Sequence, residues 1–149
     1  MKKLFTLLLA MCITIGLVAC SSTPATKEIT FEEQVLLDNE YITFTITDAP
    51  KEDFWGQSIS VYLENKTDKT LMYALDNVSV NGYMVDVLFA TEVEHDKKEN
   101  TSITIFSNDL EKNKIETVEN ITFNLRVYDS NDWMAEPIID SVEYIIDFN

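Results

Sequence analysis

The sequence predicts an all-β protein, an antiparallel β-sandwich of about eight strands, and three observations carry that prediction. Apolar and polar residues alternate with period two: Ile42, Phe44 and Ile46 against Thr43, Thr45 and Thr47, then Ile59, Val61 and Leu63 against Ser60, Tyr62 and Glu64. Such alternation puts one face of a strand in a core and the other in water. Turn chemistry separates the runs. The strongest signal is Asn81-Gly82, between Val78-Ser79-Val80 and Tyr83-Met84-Val85, because a type I′ turn needs positive φ at both central positions. Helical character is confined to Asn108–Asn113, where Asn108 as cap and Glu111 three residues on predict about one turn. A chain of 149 residues, 46% hydrophobic and 25% charged, is sufficient for one domain with its own core.

Taken in order, the chain opens on a basic start, Met1-Lys2-Lys3, followed by a nearly unbroken apolar run from Leu4 to Gly16. That run has signal-peptide length and falls short of a bilayer span. It closes on Leu17-Val18-Ala19-Cys20, which resembles the lipobox of bacterial lipoproteins. The resemblance implies cleavage before Cys20 and a diacylglycerol group on its sulfur. Residues 1–19 are therefore expected to be a lipoprotein signal peptide, 20–28 a lipidated cysteine with a short tether, and 29–149 the folded domain. Two acyl chains anchor a protein stably where one does not. Cys12 leaves with the leader and Cys20 carries lipid, so the domain is expected to hold without a disulfide. The eight residues Ser21–Glu28 span at most roughly 28 Å, which keeps the domain near its membrane.

Strands are expected at about 29–37, 41–47, 57–64, 70–80, 83–90, 101–106, 118–128 and 138–148. Ile121, Phe123, Leu125 and Val127 form the third alternating face, and Val142, Tyr144, Ile146 and Phe148 the fourth. Pro24, Pro50 and Pro137 all fall between the runs, where proline breaks no ladder.

Two stretches, Ile59-Ser-Val-Tyr-Leu-Glu-Asn-Lys-Thr-Asp-Lys-Thr70 and Val78-Ser-Val-Asn-Gly-Tyr-Met84, resemble uncharacterised immunoglobulin-like lipoproteins of Gram-positive bacteria. The wider group is similar to the immunoprotective extracellular immunoglobulin-like superfamily. The resemblance covers roughly residues 36–148 and implies an immunoglobulin-like sandwich on the extracytoplasmic face of a membrane. Its motifs are turns, so it brings no catalytic residue.

Several function classes are disfavoured by composition. The net charge is −15, and loss of Lys2 and Lys3 with the leader takes it to −17, which repels nucleic acid. Beyond the leader only Gly56 and Gly82 remain, so there is no phosphate-binding or dinucleotide fingerprint. The sole histidine, His95, lies in a charged segment, Glu92-Val-Glu-His-Asp-Lys-Lys-Glu99, where nothing would shield a catalytic base. An enzyme is not expected. Four Asn-x-Ser/Thr sites, at Asn65, Asn77, Asn100 and Asn120, are discounted as glycosylation sites behind a bacterial lipobox.

If the strands alternate in direction, loops 38–40, 65–69, 91–100 and 129–137 gather at the end remote from the tether. Two site readings follow. A binding module for an unknown protein or envelope partner, monomeric itself, would use Trp133 and Met134, residue types enriched at interfaces. Alternatively Ca²⁺ would be held between the acidic loops 91–100 and 129–137 by Glu94, Asp96, Asp129, Asn131 and Asp132. Asp129-Ser-Asn131-Asp132 echoes the opening of a calcium loop but lacks the glycine at the sixth position. Trp133 is also a candidate lid over the sandwich end. Trp55, in Asp53-Phe54-Trp55-Gly56, is expected to pack on the sheet edge, and Tyr83-Met84 to act as a hairpin pair.

Overall fold

A computed structural model of the chain describes residues 31–149. The expected signal peptide, Cys20 with its diacylglycerol, and the tether lie outside them. No helix among the described residues is long and apolar enough to cross a membrane.

The alternating runs pair into two antiparallel sheets. The first holds β1 (Gln34–Asp38), β2 (Ile42–Ile46), β4 (Gly56–Asn65), β9 (Lys98–Phe106) and β7 (Val87–Leu88) in that order, with β3 (Lys51–Glu52) also on β4. The second runs β11 (Ile139–Asp147), β10 (Asn120–Asp129), β5 (Leu71–Val80) and β6 (Tyr83–Met84), with β8 (Ala90–Val93) further along β5. With β1 set aside as an extra edge strand, β2-β4-β9-β7 reproduces the A-B-E-D order of immunoglobulin sheets. The strands β11-β10-β5 reproduce G-F-C, with β6 and β8 in the C′ place. The protein is thus an immunoglobulin-like β-sandwich.

The core is the inward half of each alternation. Ile42, Phe44, Ile46, Ile59, Val61, Leu63, Ile103 and Ile105 face Leu71, Tyr73, Val80, Ile121, Phe123, Leu125 and Val127, all buried. Phe44 meets Phe123 across the two sheets with ring centroids 6.1 Å apart. Each such side chain contributes roughly 1.5–3 kcal/mol on leaving water, which is what holds a domain without disulfides. Tyr73 stands in the middle of β5, and its hydroxyl donates to the Glu64 carbonyl at 2.9 Å, so this large side chain is buried with its polar atom satisfied.

The structure departs from the sequence reading in several places, beginning with β1, which starts at Gln34 where strand was expected over 31–33 as well, and β3, which was not expected. The expected strand 83–90 is three short pieces: β6 pairs β5, β7 crosses to pair β9 in the other sheet, and β8 returns to β5. Only Val85, Phe89 and Val93 are buried there, a spacing of four that suits a chain zigzagging between two sheet edges. The expected strand 101–106 begins earlier, at Lys98, paired to Glu64. Asn108 is not the helix cap; α1 (Ser107–Asn113) starts from Phe106 without a side-chain cap bond and turns Leu110 to the core. Finally, β11 buries Ile146, with Phe148 buried just beyond it, but leaves Val142 exposed, because its register shifts near Leu125 and Ser141 takes a positive φ. The Asn81-Gly82 turn has φ of 49° and 81°, as its hairpin geometry requires.

Candidate functional site

Pairing registers fix which loops share an end. Ile42 pairs Asn65, Glu64 pairs Lys98, and Leu71 pairs both Val93 and Asp129. The turns at 39–41, 66–70, 94–97 and 130–138 therefore meet at one end of the sandwich. The described chain begins at the other, where Phe31 packs on Phe148 with centroids 5.6 Å apart.

One buried side chain organises the remote end. Asn65 has no solvent exposure, and its amide donates to the carbonyls of Lys69 (2.7 Å) and Val93 (2.9 Å). Its oxygen accepts from the Thr67 N–H (2.9 Å) and hydroxyl (2.7 Å), so every polar valence is used. Its backbone N–H reaches Lys97, and the Lys66 N–H reaches Tyr41. Two lysines then clip loop to loop, Lys66 to Asp38 at 2.5 Å and Lys69 to Asp129 at 3.3 Å.

Trp133 and Met134 sit on this end, 75% and 79% exposed. The loop carrying them is two successive turns, closed by the Asp132 N–H on the Asp129 carbonyl (3.2 Å) and the Ala135 N–H on the Asp132 carbonyl (3.1 Å). It is pinned at both ends, by Ser130 on Thr70 and Ile138 on Val127. Trp133 is no lid over the core. It lines a shallow recess with Arg126 and Tyr128, which project outward from β10, and the guanidinium lies 5.9 Å from the Tyr128 ring centroid. Arg126 also faces Asp76 at 3.5 Å. The sequence reading missed Arg126 and Tyr128. They were legible only as the polar partners of an alternating strand, although Arg126 is the one arginine in the chain.

The five residues of the cation reading fall in two groups, Glu94 and Asp96 on one turn and Asp129, Asn131 and Asp132 on another. The segment 91–100 is mostly strand, leaving only 94–97 as a turn that carries Glu94, His95 and Asp96. Strand β5 stands between β8 and β10, so that turn and Asp129 lie two strand spacings apart, about 9–10 Å. Asp129 is already engaged. The Asn131 N–H at 2.9 Å, with Lys69 beside it, holds its carboxyl below the usual range. Among the described residues, no three histidine, cysteine or acidic side chains are grouped to hold a metal. His95 is exposed beside Asp96, 3.5 Å away.

Trp55 does not pack on the sheet edge as expected. It is 60% exposed and Phe54 is 89% exposed, and the two rings stack edge-to-face at 5.0 Å on the tip of the β3–β4 hairpin. What is fixed is the backbone. Asp53 accepts from the Trp55 N–H (2.7 Å), the Gly56 N–H (2.9 Å) and the Ser58 hydroxyl, and these hold its carboxyl low, Ser58 foremost. Tyr83 and Met84 pair with Val80 and Ser79 in the hairpin and remain exposed.

The fold and this end of it define a class, an immunoglobulin-like sandwich that carries an aromatic, arginine-bearing patch remote from where the domain's chain begins. No family model and no curated protein matches the sequence. Among solved structures the chain is similar to a FixG-related protein from Vibrio parahaemolyticus, at 14% identity and a TM-score of 0.39, over 74% of this chain and 97% of that one.

Proposed function

We propose that the protein is a lipid-anchored, non-enzymatic binding module on the extracytoplasmic face of a bacterial membrane. On this reading it is held by diacylglycerol on Cys20, acts as a monomer, and engages a protein or envelope partner through its far end. The observation that carries the reading is the Trp133–Met134 pair, exposed beside Arg126 and Tyr128 on a loop pinned at both ends. Tryptophan, tyrosine and arginine are the residues that most often dominate binding energy, and a pre-ordered loop loses little entropy on docking. A non-catalytic role is supported by the site's chemistry, since the chain's one histidine stands solvated on the 94–97 turn. The anchor is supported by Leu17-Val18-Ala19-Cys20, and the likeness to immunoglobulin-like lipoproteins belongs to the same proposal.

A photo-crosslinking residue at position 133 in intact cells tests it. The expected result is a discrete adduct, competed by added protein but not by its Trp133→Ala variant, and missing when the same crosslinker replaces Ser60 on the outer face of the other sheet. Equal adducts from both positions would sink the reading.

A further inference from the structure

The Phe54–Trp55 knob is the feature of the tether end that the binding-module reading leaves unused. We propose that it inserts into the interfacial zone of the bilayer that holds the lipid anchor, giving the domain a second point of attachment and a fixed orientation. This rests on the anchor at Cys20 and adds a lipid surface as the partner of a specific pair of side chains.

Geometry puts the knob where a membrane would be. Strand β1 begins at Gln34, opposite Ile46, and Ile46 pairs Val61 on β4. From Val61, β4 continues five residues further toward this end, to Gly56, with β3 taking the place beside it that β2 has left. At about 3.3 Å per residue the hairpin tip stands roughly 16 Å beyond the start of β1, in the neighbouring strand column. From Cys20 to Phe31 the chain can reach at most about 40 Å. The tether is thus long enough for the anchor to enter the bilayer beside the knob, which stands at the end of the domain where the described chain begins.

The knob is built to be presented. A Cβ on Gly56 would stand 2.1 Å from the Ile105 carbonyl oxygen, so glycine alone lets the hairpin close onto β9. The Ser107 N–H donates to the Trp55 carbonyl at 2.8 Å, and Asp53 gathers three donors beneath the tip. A braced backbone thus carries two apolar rings into solvent, which does nothing for folding. Tryptophan with an apolar face and an indole N–H suits the headgroup boundary, where it is enriched in membrane proteins. Glu52, Asp53, Glu111 and Glu116 near the tip outweigh Lys51 and Lys114, so the surface that suits the knob is zwitterionic, and anionic lipid should oppose it.

The test uses the full acylated protein reconstituted in phosphatidylcholine vesicles containing lipid brominated on its acyl chains. The chain has two tryptophans. Trp133→Phe leaves Trp55 as the reporter, and Trp55→Phe leaves Trp133. The expected result is quenching of Trp55 several times that of Trp133, declining as phosphatidylglycerol replaces phosphatidylcholine. Equal quenching of both, or an unquenched Trp55 on protein whose mass shows acylated Cys20, overturns the knob while leaving the anchor standing. Absence of the acyl mass overturns the anchor and this inference with it. A Trp55 already shielded from aqueous quencher in Cys20→Ser protein without vesicles would assign the knob to a second copy, and also overturns it.

Discussion

The two tryptophans sit at opposite ends of the sandwich, both in acidic surroundings and both exposed, yet they are held in different ways. Trp55 rides a hairpin tip fixed by a glycine that nothing can replace and by one carboxylate that gathers three donors. Trp133 rides a loop of two backbone turns whose base is secured through Asn65 and the Lys69–Asp129 pair. The near end is braced by steric closeness together with one carboxylate, the far end by a polar network without such a close approach. An exposed side chain can thus be as firmly presented as a buried one, provided the backbone beneath it is over-determined.

Gly56→Ala should break the near end hardest. The added methyl meets backbone atoms, Ile105 O at 2.1 Å and Ser107 N at 2.6 Å, and neither can rotate away. A loss of about 3 kcal/mol is expected, in the upper range for a single substitution, measured by urea unfolding. A loss within experimental error would mean the hairpin rides loosely on β9 and that Trp55 is not fixed.

Asn65→Ala is the matching lesion at the far end. It strands the Val93 carbonyl in a buried site and takes a partner from the half-buried Lys69 carbonyl and Thr67 N–H. About 2 kcal/mol is expected, the usual cost of leaving buried partners unsatisfied. Crosslinking from position 133 should weaken in the same variant, since the loops around Trp133 lose their shared base. Retained crosslinking with lost stability would uncouple the tip from Asn65.

How much of this was legible beforehand follows the same divide. The paired strands 42–46, 56–65 and 120–129 were readable because apolar and polar residues alternate along each, and 71–80 because polar turns bound it although its own alternation breaks near Asn77. The segment 83–93 was not, because a chain that changes sheets loses that period, and its buried residues fall four apart. Asn65 read as a turn residue. Nothing in Asn-Lys-Thr announces that its amide will be sealed between β5 and β8, since Val93 is 28 residues away. Trp55 read as packing on the sheet edge because of the Trp55-Gly56 context. Its exposure depends on Gly56 pressing the backbone against β9, a contact 49 to 51 residues distant. Spacing along the chain likewise does not show that β5 stands between the two acidic loops.

Acid should act on both ends. Asp53 is held low by Ser58 and the Trp55 N–H, Asp129 by the Asn131 N–H and Lys69, and Asp38 by Lys66 and Thr43. A carboxyl with a depressed folded-state pKa stabilises the fold above its unfolded value, and that contribution is lost as pH falls through the folded value. The thermal midpoint should therefore drop between about pH 5 and about pH 3. Relief of repulsion among the remaining acids works the other way, so the readout is the slope of each variant against the parent. Asp53→Asn and Asp129→Asn should each flatten it, and only Asp53→Asn should loosen Trp55 in fluorescence anisotropy. A variant whose slope matches the parent would show that its carboxylate is not held in solution.

The smallest expected effect is the most discriminating. Trp55→Ala and Trp133→Ala should each change unfolding free energy by less than about 0.5 kcal/mol, as for surface positions away from caps and cores. With more than half of each side chain in water, neither ring gains much by folding. If both variants are neutral in urea, whatever retains these two aromatics lies outside the fold, and vesicle quenching and cell crosslinking become the measurements that separate them. A loss above about 1 kcal/mol for Trp55→Ala would instead mean that the Phe54–Trp55 stack stiffens the hairpin from above. The near end would then be braced by its aromatics as well as its glycine, and the contrast between the two ends would rest on Asn65 alone.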